Sequence, residues 1–247
     1  MARRWHAATP GSVHVVESDP SRREALSAEG IACYAMLADA PQSDTYLIAI
    51  KPQQFADFAL EMKNRLSGAS PPLILSIMAG ITLSQLHPIS PRAVRIMPNL
   101  PAIIGESMSV ACAPALDAPT REYVTTLLAR IGSVAWVEDE SMLHAVTAIS
   151  GSGPAYLFTF MEALQQAAIA SGLDAALAKK LVTQTMRGAA LLADQSTDDA
   201  ATLRAQVTSK GGTTEAALAA FAAGNLAALV ANAVAAAEEK SKALAKI

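Results

Sequence analysis

One change of pattern constrains this chain more than any other. Short β-branched and apolar runs alternate with helical segments up to about residue 138, and no such run recurs beyond it. Val13 to Glu17 ends in Ser18-Asp19-Pro20, a strand followed by a turn. Ser21 to Glu29 reads as a helix stopped by Gly30. Tyr46 to Ile50 is a continuous apolar run cut by Lys51-Pro52, the signature of a strand buried on both faces of a parallel sheet. The spacing then predicts helices over 55–66, 82–86 and 120–131, and strands over 73–77, 94–97, 107–112 and 134–137. This alternation specifies a doubly wound α/β domain. After Asp139, Leu157, Phe160, Leu164 and Ala168 recur at helical spacing, and long Ala/Leu segments continue to the end. An α/β domain over 1–138 and an all-helical domain over 139–247 are expected.

The totals exclude several functions. At 52% hydrophobic and 17% charged the chain can bury a core. A net charge of −3 with no basic stripe gives nucleic acid nothing to bind. Cys33 and Cys112 lie far apart in apolar company, as reduced thiols of a cytoplasmic protein do. The four histidines have no metal spacing, and no metal site is assigned. No secretory signal is visible at the N-terminus. Ala216 to Ala237 holds 22 residues without a charge, but it is mostly alanine and is interrupted at Gly224-Asn225 and Asn232. Two buried helices at a subunit interface fit it better than a membrane span.

A dinucleotide-binding domain of the Rossmann type opens with strand, G-x-G-x-x-G, helix. Here the sole G-x-G is Gly151-Ser152-Gly153, in the helical half and with no strand before it. The first strand and its phosphate loop are therefore expected to be missing from this chain. In the common strand order that strand is central, so its loss opens a gap between two others. Unpaired buried backbone groups cost about 1–3 kcal/mol each, and summed over a strand this rivals a domain's net stability of roughly 5–15 kcal/mol.

Five strings carry a resemblance: Ala49 to Gln53 (AIKPQ), Ser76 to Ile81 (SIMAGI), Arg95 to Pro101 (RIMPNLP), Ala145 to Tyr156 (AVTAISGSGPAY) and Val207 to Leu218 (VTSKGGTTEAAL). In this order they cover nearly the whole chain, which resembles the pyrroline-5-carboxylate reductase family, the oxidoreductases of the last step of proline biosynthesis. The resemblance implies a Rossmann-like α/β N-terminal domain and an all-α C-terminal dimerisation domain. It also implies a homodimer or higher homo-oligomer, and hydride transfer from NADP, or NAD, in its reduced form to 1-pyrroline-5-carboxylate. Met1-Ala2 then corresponds to the tail of the family's Gly-rich loop. A truncated, non-catalytic relative and a reductase of another cyclic imine stay open as alternatives.

The substrate's carboxylate needs donors, and backbone N–H groups at a helix start supply them. Gly211, Gly212 and Thr213 are placed there, with Ser209 beside them. By the resemblance Thr214 hydrogen-bonds the ring nitrogen as the catalytic residue, and Glu140 and Gln206 contact substrate. Gly211-Gly212 read alone is a turn and cap, and Glu140 with His144 reads alone as a solvated i,i+4 pair. Ser150 to Pro154 is expected to cap a long helix and let it pack closely on the sheet domain. The cofactor-binding set is Ser18, Ala49, Ile50, Lys51, Pro52, Ala79 and Asn99, at strand ends where open α/β sheets place ligands. After the first strand, Glu17 and Asp19 suit ribose hydroxyls, whereas Arg22 and Arg23 suit a 2′-phosphate. The resemblance inclines the choice to NADP. Leu100, where a threonine is usual, and Met36, where many relatives are polar, both remove polar groups near the expected cofactor.

Overall fold

The computed structural model describes residues 1–66 and 70–245. Helix α1 (Ala2–Ala8) leads to strand β1 (His14–Val16), helix α2 (Pro20–Ser27) and strand β2 (Ala32–Tyr34). Then follow β3 (Thr45–Ile48), α3 (Phe55–Arg65), β4 (Leu73–Ser76), α4 (Leu83–Leu86), β5 (Ala93–Met97), β6 (Ser107–Cys112), α5 (Ala118–Ala129) and β7 (Gly132–Val137). Helix α6 (Met142–Val146) runs into a π-helical turn at Thr147–Gly151. Helices α7 (Gly153–Ala170), α8 (Ala175–Gln195), α9 (Ala200–Gln206), α10 (Thr213–Ala223) and α11 (Leu226–Leu244) complete the chain.

Strands β3 to β7 form one sheet in sequential order, and β1 and β2 form a separate parallel pair. The strand order has its break where the sequence predicts a gap: among the described residues no ladder joins β1 to β3. The sheet is parallel except at β5 and β6. Those two are joined by the short stretch from Pro98 to Glu106, which leaves no room for the crossover that a parallel pair needs. Side chains alternate across the sheet with period two. Ile74, Ala93 and Cys112 pack on one side with Phe55, Met62 and Leu86 of the α3 and α4 layer. Leu73, Leu75, Val94 and Ile96 pack on the other with Trp5 of α1 and Val124 and Leu128 of α5. Trp5 also donates its indole N–H to the Leu127 carbonyl at 2.8 Å, so α1 is tied to α5.

Aspartates start several helices. Asp19 accepts from Ser21 N–H, Asp117 from Thr120 N–H, Asp174 from Leu177 N–H and Asp199 from Thr202 N–H, satisfying donors that a helix start leaves open. The backbone hydrogen bonds hold the Asp117 and Asp199 carboxyls below their ordinary range.

Two compact units result: Met1–Ser152 with the chain from Ala237 onward, and Gly153–Ala236. The sequence pattern changes near residue 139, where strands stop. Packing keeps α6 and the π-helical turn with the strands, because Leu143 enters the α3-side core and Asn99 donates to the Ser150 carbonyl at 3.1 Å. Gly151 is tight for a physical reason: a Cβ there would meet the Met97 side chain. Gly151 thus serves close packing, whereas Gly153 has open space around it. In the second unit, α10 and α11 flank a break at Gly224-Asn225, where Asn225 takes a left-handed φ of 55°. The two helices bend by 52°, and no single helix among the described residues is long and apolar enough to cross a membrane. The 216–237 segment forms two helices, but neither α10 nor α11 has a buried residue within the single chain.

Candidate active site

The double-glycine bend is built by its own backbone. Gly212 is the N-cap of α10 and has no side-chain cap, and its N–H donates to the Ser209 carbonyl at 3.0 Å. Gly211 sits at φ +74°, which excludes side chains in practice. A Cβ on Gly212 would collide with the Ser209 side chain, so Ser209 sets how tightly the bend closes. The Gly211 N–H is already spoken for: it donates to Glu215 Oε2 at 2.7 Å. A carboxylate therefore occupies the expected carboxylate site, and it is the protein's own. Glu215 was not anticipated, although an acid in the first turn of a helix whose cap is glycine was a legible signal.

Thr213 and Thr214 follow in the first turn, with Thr214 half-buried. Gln206 lies at the end of α9, where its side-chain amide donates to Asp198 at 2.7 Å. Glu140 belongs to the other unit. Its Oε1 accepts from Arg95 Nη1 and from Leu83 N–H, both at 2.7 Å. Arg95 is the second residue that sequence reasoning passed over. A lone buried charge in the apolar run Ala93–Met97 demands a charged partner, and the half-buried Glu140 is that partner.

The carboxyl ends of β3, β4 and β5 lie on one edge because those strands run parallel. That edge carries Ala49 to Pro52, Ala79 and Asn99. Lys51 and Pro52 are exposed, while Ile50 packs on the core. The Asn99 side chain is committed: it donates to Ser150 and accepts from Met108 N–H at 3.0 Å. Leu100 and Met36 are exposed. A cavity of about 20 Å³, room for one water, is lined by Ala79, Gly80, Arg95, Met97, His144 and Ser241. His144 Nδ1 meets Ser241 Oγ at 3.0 Å. Burial, then the Arg95 and Lys242 charges, push the His144 pKa below its usual value. Burial pushes the nearby Cys112 thiol up to about 11, so it stays protonated and inert.

After β1, Arg23 Nη1 donates to the Glu17 and Ser18 carbonyls, both at 2.9 Å, and so fixes the Ser18 turn. Asp19 is used as the α2 cap. Arg22 keeps only long contacts, 3.7 Å to Glu17 and 3.9 Å to Asp19, and its side chain is 73% exposed.

A Rossmann-like sheet followed by an all-helical segment is the two-part architecture of a nucleotide-dependent oxidoreductase. Residues 140–244 match the family model described as pyrroline-5-carboxylate reductase dimerisation. The chain is 43% identical over 192 residues to the pyrroline-5-carboxylate reductase of Haemophilus influenzae, spanning 75% of this chain and 69% of that one. It is 37% identical over 245 residues to the enzyme of Pasteurella multocida, spanning 94% and 88%. Among solved structures, a pyrroline-5-carboxylate reductase from Coxiella burnetii superimposes with a TM-score of 0.89 at 30% identity, over 99% of this chain and 93% of that one. A Plasmodium falciparum pyrroline carboxylate reductase with NADP bound gives 0.78 at 30% identity, over 87% and 82%. The chain belongs to the pyrroline-5-carboxylate reductase family.

Proposed function

We propose that this chain reduces 1-pyrroline-5-carboxylate to L-proline with NADPH, as a cytoplasmic homodimer or higher homo-oligomer. The observation that carries the reading is the Gly211-Gly212 bend opening α10, where a carboxylate is already held on a main-chain N–H. The amides of Gly211 and Thr213 take the substrate carboxylate, with the α10 dipole behind them, while the Gly212 N–H stays on the Ser209 carbonyl and shapes the bend. The Thr214 hydroxyl oxygen accepts a hydrogen bond from the protonated ring nitrogen and so orients the iminium. Ser209 holds the bend closed. Gln206, tied to Asp198, shapes the adjoining loop.

The residues present fit the two ends of a nicotinamide nucleotide. Arg22, exposed beside the rigid Ser18 turn and held only at 3.7 Å by Glu17 and 3.9 Å by Asp19, can turn its guanidinium to a 2′-phosphate, which favours NADP over NAD. Lys51 and Pro52, with the backbone at Ala49, Ile50 and Ala79, form the strand-end ledge for the remainder. Asn99 acts there by shaping the ledge, because its side chain ties β5 to β6 and to the π-helical turn. When bound, the reduced nucleotide supplies a hydride to the imine carbon, and the ring nitrogen keeps the proton that made it an iminium. Self-association is supported by the apolar surface of the helical unit. Leu157, Phe158, Leu192, Leu229 and Val230 are all more than half exposed in one chain.

The test is direct. Pure, folded, dimeric protein with 1-pyrroline-5-carboxylate should oxidise NADPH and form L-proline in equal amounts, and absence of turnover refutes the proposal. Thr214→Val should lower kcat on the order of tenfold, the effect of one lost hydrogen bond to a charged group.

A further inference from the structure

We infer that Glu140 and Arg95 are positioning residues for the Ala79–Thr82 turn at the end of β4, and that the last turn of α11 backs the same turn through Ser241. The inference rests on the strand-end ledge proposed above as the cofactor's seat. It removes Glu140 from the set of substrate contacts.

Arg95 points from the middle of β5 into the α3-side layer, and its side chain is only 9% exposed. A guanidinium so placed must be paired. Glu140 Oε1 pairs it at 2.7 Å, and the same oxygen accepts the N–H of Leu83, the first residue of α4, at 2.7 Å. Helix α4 is also pinned from within, since Thr82 N–H donates to Gln85 Oε1 at 2.8 Å and Gln85 N–H to Thr82 Oγ1 at 3.3 Å. Upstream, the β4 ladder fixes the chain at Ser76, paired with Ile48 and Arg95. The short connection between these two fixed points carries Ala79 and Gly80.

Its outer side is blocked as well. Gly80 has φ +82°, and a Cβ there would lie 2.7 Å from the Leu244 carbonyl oxygen. The last turn of α11 thus lies directly against the glycine, and the Ser241–His144 hydrogen bond holds that turn in place. The turn is thus held at both ends and backed at Gly80, while Ala79 itself faces outward. Pre-organisation of this kind matters at a site where a misplacement of about 1 Å costs on the order of 10²-fold in rate.

The experiment compares wild type, Glu140→Ala and Ser241→Ala in three measurements: hydrogen exchange at the Leu83 amide, NADPH affinity by fluorescence titration, and kcat with KM for each substrate. Glu140→Ala should speed Leu83 exchange, weaken NADPH binding and lower kcat on the order of 10²-fold, with the imine KM unchanged. Ser241→Ala leaves the core intact and serves if Glu140→Ala does not fold. It should weaken NADPH binding roughly two- to tenfold, as loss of a neutral hydrogen bond does, again with the imine KM unchanged. A rise in the imine KM alone in Glu140→Ala, or unchanged NADPH affinity in both variants, overturns the inference. In either case active wild type leaves the proposed function standing. Folded wild type without turnover removes that function and this inference together.

Discussion

Glu215 gives the sharpest handle on the proposed substrate site. Its carboxylate takes the Gly211 N–H at 2.7 Å, so a substrate acid arriving at that bend must displace it and meets a like charge. Both groups are exposed, so the hydrogen bond is worth no more than a surface ion pair, about 0.2–1 kcal/mol. Repulsion between two carboxylates ~4 Å apart in water adds about 1 kcal/mol before salt screening. Salt screens away most of that repulsion, and the remaining combined effect of about 1 kcal/mol corresponds to roughly fivefold in affinity. Glu215→Ala should therefore lower the KM for 1-pyrroline-5-carboxylate roughly fivefold, with kcat little changed, because the gain is in uniform binding. Glu215→Gln should fall between. The assay is initial NADPH oxidation at saturating NADPH with the imine varied, repeated at high salt, where the gap between variant and wild type should narrow. The variant also loses a negative charge at a helix start, a separate cost of about 0.3–1 kcal/mol to be read from its unfolding curve. An imine KM that stays level or rises in folded Glu215→Ala would refute the assignment of the Gly211 amide to the substrate acid.

Other outcomes follow from the same structure. Gly211→Ala forces a side chain to φ +74° and should raise the imine KM by tenfold or more while leaving NADPH affinity alone, as steady-state kinetics would reveal. Trp5→Ala removes a buried indole and its bond to Leu127, and urea denaturation should record a loss of about 3–5 kcal/mol. His144 has a folded pKa depressed below its ordinary 6.5, so the unfolded chain binds the proton more readily. Its contribution to stability is complete above about pH 6.5 and is lost as pH falls through the lower folded value. Thermal unfolding from pH 7.5 to 5 should fall more steeply for wild type than for His144→Gln.

Much of the architecture was legible because period and punctuation agreed. The run Leu73–Ile77, apolar but for Ser76, became a strand buried on both faces, and the segment expected as a helix from residue 120 became one that Asp117 caps two residues earlier. Strand β2 and helix α1 escaped notice. Ala32–Tyr34 is three residues long and carries no alternation, and the α1 segment holds two arginines just before a single buried Trp5. At the site, glycine spacing located the Gly211 bend, since only that residue type tolerates the backbone there. The partners of Glu140, Gln206 and Asn99 were not legible. Arg95, Asp198 and Ser150 reach them through tertiary packing, or across one loop, that no local period encodes.

The apolar faces of the helical unit make folding of Gly153–Ala236 depend on how many copies of the chain are nearby. Where a partner covers those faces, dilution acts as a denaturant, and a melting temperature has meaning only at a stated protein concentration. In a cell, newly made chains would be most exposed to proteolysis within this segment, and the hazard would ease as copies accumulate.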